Sequence, residues 1–512
     1  MGSRIAVIGA GHHGLVAGIR LAEAGCEVTV LEASEGPGGG VRSEALTRPG
    51  YVHDTCAAFF PLALASPVLR ELELDVEWVN PPLAMVHVTD EEGGEIALHR
   101  DLSATVESLC RYGPEAGRGW QELVETLWPQ RERLVEAALG PMPPLAATAK
   151  LLTGLRARAL DLAPMAVGSS AAVGRQLFGD DRAAAWLAGS GAHADVIPQS
   201  AGSAVFALGL NFLAHHVGWP LARGGSQSFT DALVRRLHGH GGTVRCGAGV
   251  EAIELSRRRA TAVRLHGGER LAVDAVVATV SPRVLLRLLP PRSLPGRLER
   301  RLQGWRYEMG TLKLDWALSA PVPWRSGAAR EAGVVHVGGA LDEISRSLSE
   351  AALGRVPERP ALVVGQQSLH DPTRAPDGGH TLYAYARVPP HPALPEADVT
   401  ERVERQIERF APGFGDLIQA RSVRTPSGLE AVNASMVGGD LASGSCELSQ
   451  QLIFRPDPRL CRGRTPLGGL YVAGAWVHPG PAVHGVSGAR AADLYMRDRR
   501  RRRWPRATAR WR

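Results

Sequence analysis

The amino-acid sequence predicts an α/β fold, and three patterns support this prediction. The first 32 residues read as a strand, a glycine-rich turn, a helix and a second strand that ends in an acid. Residues 243–273 alternate apolar and polar side chains, which is typical of antiparallel strands with one covered face. Residues 275–280 and 470–473 are continuous apolar runs, as expected for parallel strands buried on both faces. We therefore expect three layers with a parallel sheet and a β-meander.

The first turn has the spacing of a dinucleotide-binding site, Gly-Ala-Gly-His-His-Gly over residues 9–14. Gly9 permits the tight turn, Gly11 lets a pyrophosphate approach the backbone, and Gly14 lets the helix pack closely on the strand. Glu32 lies eighteen residues after Gly14, where a carboxylate can accept hydrogen bonds from a ribose. Because the flanking strands, the helix and the acid are all in place, these residues predict a Rossmann-like domain.

A second glycine cluster follows closely, at residues 36–42. In the flavin branch of the dinucleotide folds, such a loop passes beside the phosphates and the ribityl chain of the cofactor. The residues that we assign to this contact are Gly39, Gly40, Val41 and Arg42.

The rest of the chain alternates between helical and mixed segments. Apolar residues at three-to-four spacing predict helices at 106–112, 120–139, 145–160, 171–178 and 183–189. Residues 285–417 form a second α+β block, with strands near 311–318, 334–337, 361–366 and 381–387 and an amphipathic helix at 399–410. The last ordered block spans residues 467–496 and opens a final helix. This order predicts an α+β substrate domain inserted into the nucleotide-binding domain.

Composition and charge exclude several classes of function. Of the net charge of +6, residues 497–512 contribute nine Arg and one Asp, so the rest of the chain is near −2, which argues against nucleic acid as a partner. Six Cys without a CxxC pair predict free thiols in a reducing compartment. The apolar stretch 201–214 is too short to span a bilayer, and no secretory signal precedes the first strand. We therefore expect a cytoplasmic protein.

The basic C-terminal tail leaves two interpretations open. Its arginines flank Trp504 and Trp511, a composition that suits peripheral contact with an anionic membrane surface. A solvated, disordered tail is the other interpretation.

Four stretches together resemble the phytoene-dehydrogenase-like flavoproteins of the carotenoid desaturase and flavin amine oxidase superfamily. They are residues 9–14 with Glu32, residues 36–54, residues 307–324, and residues 438–440 with 470–488. The resemblance extends to about Asp498 and implies a tightly held, non-covalent FAD. It implies that Val250 contacts adenine through its backbone. It also implies that a loop closes over the flavin, with contacts from Gly474, Ala475, Gly485 and Val486.

The same resemblance implies a discontinuous domain organisation. We predict an FAD domain made of residues 1–90, 215–290 and 425–498, and a substrate domain made of residues 91–214 and 291–424. Residues 499–512 are predicted to be the disordered basic tail.

Two residues are candidates for catalysis. Lys313, one of two lysines in the chain, matches the strand on which amine oxidases place a lysine bonded through water to flavin N5. The alternative is an ordinary strand lysine paired with an acid. His484 is a candidate for proton transfer, because histidine titrates near neutral pH. The remaining histidines show no metal-ligand spacing, so we predict no metal.

These observations predict an FAD-dependent dehydrogenase or desaturase. It would transfer hydride to flavin N5 from a hydrophobic small-molecule substrate, of isoprenoid or secondary-metabolite type. Two alternatives stay open: a redox-neutral flavin-dependent isomerase of a polyene, and a non-catalytic flavin-binding partner protein. The sequence leaves open whether oxygen or a quinone accepts the electrons.

Overall fold

A computed structural model of the chain describes residues 2–307 and 309–501. The last described helix includes residues 499–501, which the sequence assigned to the disordered tail. The remainder of that predicted tail, residues 502–512, lies outside the described residues.

The strands, in chain order, are β1 (Arg4–Ile8), β2 (Glu27–Leu31), β3 (Ser43–Glu44), β4 (His53–Asp54), β5 (Trp78–Val79), β6 (Leu83–Val88), β7 (Glu95–His99), β8 (Leu221–Ala222), β9 (Thr243–Arg245), β10 (Val250–Ser256), β11 (Arg259–Leu265), β12 (Arg270–Ala272), β13 (Ala275–Ala278), β14 (Gly310–Leu318), β15 (Val334–Val337), β16 (Leu362–Gly365), β17 (His380–Val388), β18 (Ile418–Arg424) and β19 (Leu470–Val472).

The α-helices, in chain order, are α1 (His12–Glu23), α2 (Pro61–Ala65), α3 (Pro67–Arg70), α4 (Leu102–Cys110), α5 (Pro114–Leu127), α6 (Arg131–Leu139), α7 (Leu145–Leu155), α8 (Arg158–Val167), α9 (Ser170–Phe178), α10 (Asp181–Gly191), α11 (Ser203–Val217), α12 (Ser226–Gly239), α13 (Pro282–Leu288), α14 (Gly296–Gln303), α15 (Leu341–Ala352), α16 (Glu396–Phe410), α17 (Pro426–Val432) and α18 (Val486–Arg501).

The first sheet is parallel and has the strand order β19-β13-β1-β2-β9. Its strands come from three distant parts of the sequence, as a discontinuous nucleotide-binding domain requires. The α/β class with a parallel sheet is therefore confirmed. One detail differs, since β9 pairs with β2 in this sheet and does not belong to the meander. The meander consists of β10, β11 and β12.

The larger sheet has seven strands in the order β18-β14-β17-β16-β15-β6-β7. All of its pairs are antiparallel except β15 with β6. Strand β6 lies inside the predicted FAD-domain segment 1–90 but pairs in this second sheet. The domain boundaries stay a prediction.

Two predicted helices are each divided in the structure. Residues 120–139 break into α5 and α6 because Pro129 lies in a short 3-10 turn between them. Residues 145–160 break into α7 and α8 at Arg156, which has a φ of +51°. A helix cannot continue through a residue in that backbone region. Periodicity alone did not reveal either break.

The large sheet has two different faces. One face packs against α16 through buried apolar residues, among them Val403, Ile407 and Phe410. The other face packs against α10 and α11 at one end of the sheet, through Trp186 and Leu187. On that second face, paired positions form a transverse row across six strands, consisting of His87, His336, Val363, Tyr385, Lys313 and Arg424. This transverse row places polar groups in the interior of the protein.

Within the described part of the chain, no helix combines the length and the apolar character that crossing a bilayer requires.

Candidate functional site

The phosphate turn, residues 9–14, joins the end of β1 to the beginning of α1. Gly9 has a φ of +99°, a backbone conformation that favours glycine. A Cβ at Gly14 would lie 1.9 Å from the carbonyl oxygen of Gly9, so a side chain there would separate helix from strand. A Cβ at Gly11 would meet nothing nearer than 3.9 Å. The turn therefore leaves room beside Gly11, next to the unpaired N–H groups that begin α1.

The second glycine loop, residues 36–42, crosses the phosphate turn at backbone distance. The N–H of Gly38 donates to the carbonyl oxygen of Ala10 at 2.9 Å. Gly39 has a φ of +60°, and a Cβ there would lie 3.3 Å from the Cα of Gly11. Side chains at these positions would keep the two loops apart, so the glycines explain the close crossing.

The half-buried carboxylate of Glu32 lies at the end of β2 and joins the phosphate turn. It accepts hydrogen bonds from the N–H of Ala10 at 2.8 Å, from the N–H of Ser34 at 3.0 Å and from the Ser34 hydroxyl at 2.9 Å. A carboxylate offers about four lone-pair positions, so capacity for a further donor remains. This geometry is compatible with the ribose contact, and the assignment of Glu32 stays a prediction.

Val41 and Arg42 hold the second glycine loop through contacts within the protein. The carbonyl oxygen of Val41 accepts a hydrogen bond from the Thr230 hydroxyl at 2.6 Å. The guanidinium of Arg42 pairs with Glu44 and donates to the Ser34 hydroxyl at 3.2 Å. These contacts fix the loop, while the predicted cofactor contacts of Val41 and Arg42 stay predictions.

Val250 begins β10 beside the end of β2. The residues just before Val250 are hydrogen-bonded to the residues that follow β2. The N–H of Ala248 donates to the carbonyl oxygen of Glu32, and the N–H of Gly247 donates to the carbonyl oxygen of Ser34. The backbone of Val250 therefore lies close to the predicted ribose position, as a contact to adenine would require.

The final helix packs directly on the phosphate turn. A Cβ at Gly488 would lie 1.9 Å from the carbonyl oxygen of His13, so α18 approaches α1 as closely as a glycine allows. Gly485 has a φ of +70°, and a Cβ there would lie 3.0 Å from the side chain of Val16. Residues 470–488 thus lie against residues 9–14, although more than 450 residues of sequence separate them.

The segment before this helix is held by side chains. The N–H of Gly474 donates to the hydroxyl of Ser487 at 3.0 Å. The carbonyl oxygen of Ala475 accepts from Nε of the buried Arg455 at 2.8 Å. The predicted cofactor contacts of Gly474, Ala475, Gly485 and Val486 are compatible with this position and stay predictions.

His484 uses both of its ring nitrogens within the loop. Nδ1 accepts from the N–H of Val486 at 3.1 Å, and Nε2 lies 3.1 Å from the carbonyl oxygen of Gly480, to which it can donate. Burial lowers the pKa of His484 to about 4, so the ring is neutral near pH 7. This arrangement favours a structural role over proton transfer, and the catalytic assignment stays a prediction.

His12 and His13 add side chains that the sequence interpretation did not use. Nε2 of His12 has no hydrogen-bond partner among the described residues, and the ring of His13 lies against the backbone of Gly485. Burial lowers the pKa of His12 to about 3 and that of His13 well below its usual value. A neutral imidazole still carries one N–H donor. The open glycine cradle and these buried nitrogens fit the pyrophosphate of FAD.

Lys313 lies in the interior, on the transverse row. Its ammonium pairs with the carboxylate of Asp315 and lies 5.3 Å from the centre of the Tyr383 ring. Nδ1 of His53 lies 3.6 Å from the same carboxylate. Burial raises the pKa of Asp315, and the positive charge of Lys313 opposes that rise. The geometry matches the alternative of a strand lysine paired with an acid, and the catalytic role of Lys313 stays a prediction.

A short path links Lys313 to the second glycine loop. A Cβ at Gly40 would lie 3.7 Å from the Cβ of Cys56 and 3.3 Å from the methyl group of Met436. Burial raises the pKa of the Cys56 thiol, and the nearby Lys313 ammonium opposes that rise. Lys313 therefore lies near Cys56, which in turn lies next to Gly40 of the second glycine loop.

A buried ion network, which the sequence interpretation missed, lies beside this path. Arg374 is fully buried and pairs with Asp54 at 2.9 Å and with Asp371 at 2.8 Å. Asp54 also accepts from the N–H of Ser226 and from the hydroxyl of Ser43, at 2.8 Å and 2.7 Å. The network ties α12 and the strand after the second glycine loop to residues 371–374. Arg374 is one arginine among many, so no sequence signal could have selected it.

Comparisons with known proteins agree with this geometry. A family profile described as flavin-containing amine oxidoreductase matches residues 14–494. A relative from Cereibacter sphaeroides named hydroxyneurosporene desaturase is 29% identical, over 97% of this chain and 98% of its own length. A relative from Rattus norvegicus, named pyridine nucleotide-disulfide oxidoreductase domain-containing protein 2, is 26% identical over 96% and 93%. The solved structure of an oxidoreductase from Methanosarcina mazei matches with a TM-score of 0.63 at 17% identity, over 96% of this chain and 100% of its own, which shows the fold.

Proposed function

Because the chain belongs to the family of flavin-containing amine oxidoreductases, we propose that it is a dehydrogenase or desaturase that transfers hydride from a hydrophobic substrate to flavin N5. The substrate class that we propose is isoprenoid or a similarly apolar secondary metabolite. Membership of the family confirms the predicted superfamily, the FAD cofactor and the oxidoreductase class.

One observation carries the proposal. The phosphate turn, the second glycine loop and the start of α18 meet at one end of the parallel sheet, and the polar face of the large sheet begins behind Gly40 and Cys56. A cofactor held by the first three elements would extend toward the face that carries Lys313. A flavin dehydrogenase requires that the cofactor reach the groups that hold its substrate.

The residues of the chain would bind and orient the cofactor, and they would exclude water from the site. Backbone N–H groups at the start of α1 would hold the phosphates of FAD, and Glu32 would hold the ribose. Bound FAD supplies the hydride acceptor. Lys313, Asp315 and His53 form a buried polar cluster next to the apolar side chains of the large sheet, so water is excluded from this region.

The relatives support a desaturase more than an amine oxidase. The Cereibacter sphaeroides relative is named for desaturation of hydroxyneurosporene and aligns over nearly its full length. On this basis we propose that the present chain also acts on an apolar, polyene-type substrate.

Anaerobic titration of the flavin-loaded protein tests the proposal. Matched apolar polyenes and simple amines would be added while the absorbance of oxidised flavin is followed. Bleaching by a polyene, with a product that carries an added double bond, is the expected result. Polyene conversion without bleaching would identify the isomerase alternative, and bleaching by amines alone would overturn the substrate class. Reoxidation of the bleached protein by oxygen or by a quinone would identify the electron acceptor.

Replacing Glu32 should weaken FAD binding without unfolding the protein. We expect Glu32→Ala to cost about 1–3 kcal/mol of FAD binding free energy, since a charged acceptor is lost and its donors lose their partner. Glu35→Ala removes an exposed acid three residues away and is the matched control. Fluorescence titration of the apoprotein with FAD measures both. Equal FAD dissociation constants for the two variants would show that Glu32 does not contact the ribose.

We further propose a cytoplasmic protein that contacts a membrane surface to collect its substrate. All six cysteines are free thiols, as a reducing compartment favours. Leu145 and Leu152 lie seven residues apart on α7, and Leu160 and Val167 lie seven apart on α8; their exposed fractions are 73%, 50%, 79% and 56%. Side chains at this spacing share one face of a helix, so α7 and α8 each present an apolar face to the surroundings.

Polar substitutions on α7 and α8 should therefore reduce membrane binding. We expect Leu145→Gln, Leu152→Gln and Leu160→Gln together to lower the affinity for phosphatidylcholine–phosphatidylglycerol vesicles, measured by co-sedimentation, about hundredfold, since roughly 1 kcal/mol of burial is lost for each leucine. Removal of residues 502–512 is the companion variant, which tests the basic tail. Unchanged sedimentation of the triple variant would exclude the helices as the contact surface.

A further inference from the structure

A small cavity lies at the His87 end of the transverse row. It lies between α10, α15 and strands β6, β15, β16 and β17, and its lining includes His87, His336, Gly189, Tyr385, Ile344 and Leu348. The cavity can hold a water-sized group. No residue assigned to FAD lines it.

Two ring nitrogens in this cavity have no partner. Nδ1 of His87 and Nδ1 of His336 make no hydrogen bond to any part of the chain that the structure describes, although the side chains are 0% and 2% exposed. A Cβ at Gly189 would lie 3.1 Å from each of these two atoms. Both nitrogens therefore lie next to Gly189, and both rings line the same water-sized cavity, in which one ligand atom can contact both. Buried polar atoms without a partner are costly, so a bound group would stabilise them.

The hydrogen-bond chain that ends at His336 indicates whether its Nδ1 is a donor or an acceptor. Burial raises the pKa of Tyr385 to about 12, so its hydroxyl keeps its proton and can donate it to Nδ1 of His193, 3.0 Å away. Burial lowers the pKa of His193 to about 3, so that ring is neutral, and its proton lies on Nε2 when its Nδ1 accepts from Tyr385. In this tautomer, Nε2 of His193 donates to Nε2 of His336 at 2.8 Å. A neutral His336 then carries its proton on Nδ1, as a donor.

His87 offers the opposite polarity. Its Nε2 lies 2.8 Å from the carbonyl oxygen of Gly339, which can only accept, so Nε2 carries the proton. Burial lowers the pKa of His87 to about 4, and its Nδ1 is consequently a lone-pair acceptor. The cavity thus presents one donor and one acceptor side by side.

The charge near the cavity is already compensated. Arg387 lines the cavity, but its guanidinium pairs with Asp195 at 2.5 Å and donates to the Thr311 hydroxyl at 2.7 Å. Within the described residues, no group of three or more histidine, cysteine or acidic side chains could hold a metal ion. A neutral ligand therefore suits the site better than an anion or a cation.

We propose that this cavity binds the hydroxyl group of a neutral ligand, which accepts a hydrogen bond from Nδ1–H of His336 and donates one to Nδ1 of His87. An alcohol combines both roles in one atom, whereas an ether or a carbonyl group can only accept and leaves His87 unpaired.

The position of the cavity relates it to the proposed reaction. His336 and Lys313 belong to the same transverse row and are separated by three strand spacings, or about 14 Å. The inference rests on the proposed hydrophobic substrate: an apolar chain that carries a hydroxyl group would place that group in the cavity and a distant carbon near Lys313. The histidine pair would then select the substrate and fix its register along the flavin.

Binding of two ligands that differ by one hydroxyl group tests the proposal without turnover. Citronellol and its deoxy counterpart 2,6-dimethyl-2-octene would be titrated into the oxidised, flavin-loaded full chain, with heat release as the readout. We expect the alcohol to bind about tenfold more tightly, as two neutral hydrogen bonds allow. We expect His336→Leu and Gly189→Ala to abolish this difference, while the flavin content stays the same.

Two further variants separate the site from general damage. His336→Asn retains a hydrogen-bonding group at the δ position and should recover part of the preference. His370→Phe replaces a partly buried histidine outside the cavity, which bonds to the Glu331 carbonyl oxygen, and should leave the preference intact. Equal affinity for both ligands, or no measurable binding of the alcohol, would overturn the proposal and leave the two nitrogens to a buried water. Because no redox step is measured, failure here is distinct from failure of the desaturase proposal.

Discussion

Gly14→Ala should yield a protein that has lost its flavin. The added methyl group would lie 1.9 Å from the carbonyl oxygen of Gly9, and a backbone atom cannot rotate away as a side chain can. Helix α1 must therefore move off β1, at a cost near 3 kcal/mol, the upper part of the usual range for overpacking. The displaced helix would carry its N-terminal N–H groups away from the phosphates. We expect FAD affinity to fall about hundredfold or more, and urea unfolding to shift to a lower midpoint.

Gly209→Ala is the matched control for this change. Gly209 lies inside α11, and a Cβ there meets nothing within 4 Å. Alanine favours a helix over glycine by up to about 1 kcal/mol, so this variant should keep its flavin and unfold at an equal or higher urea concentration. Full flavin content in Gly14→Ala would contradict the close packing of strand and helix.

Lys313→Met should destabilise the protein more than a lost surface charge would. The substitution leaves the carboxylate of Asp315 buried without its ammonium partner, and such a break costs about 3–5 kcal/mol. Lys313→Met combined with Asp315→Leu removes both charges, and we expect it to recover most of that loss. Urea unfolding of the single and double variants measures the coupling. Equal midpoints for Lys313→Met and the wild type would show that the pair contributes no stability.

The double variant also separates stability from catalysis. If Lys313 holds a water at flavin N5, the stable double variant should still lose about hundredfold in substrate oxidation or in flavin reoxidation, the scale of one acid–base contact. Stopped-flow measurement of each half-reaction, at matched FAD content, is the readout. Wild-type rates in both half-reactions would show that Lys313 has no catalytic role and serves only as the ion-pair partner of Asp315.

Local motifs predicted the nucleotide site but not its neighbourhood. Gly14 is required by its contact with the carbonyl oxygen of Gly9, only five residues away, so the spacing of these glycines in the sequence carries part of the information. Lys313 and Asp315 are two residues apart on β14, and residues at this spacing share a face of a strand. The two-residue spacing of Lys313 and Asp315 could therefore be read from the sequence. The alternative of a lysine paired with an acid did not name Asp315 as that acid.

Other features depend on pairings that no local pattern encodes. His87 and His336 become neighbours because β6 pairs with β15 across nearly 250 residues. Arg374 finds Asp54 across an even longer separation. Burial of these groups is decided by the sheet as a whole, so the composition around each residue gave no indication of its role. The helix break at Pro129 differs, because a proline is a local signal, whereas apolar periodicity continues through the break at Arg156 without one.

The Asp54–Arg374–Asp371 network has a consequence for building chimeric enzymes. A hybrid that exchanges residues 291–424 for the same segment of a relative would keep Asp54 but replace both Arg374 and Asp371. If the donor lacks an equivalent arginine, the hybrid buries the carboxylate of Asp54 without a counter-charge, whatever the quality of the new substrate cavity. Donor segments are therefore best chosen first by the charge that they bring to position 374, because an uncompensated Asp54 would destabilise the hybrid.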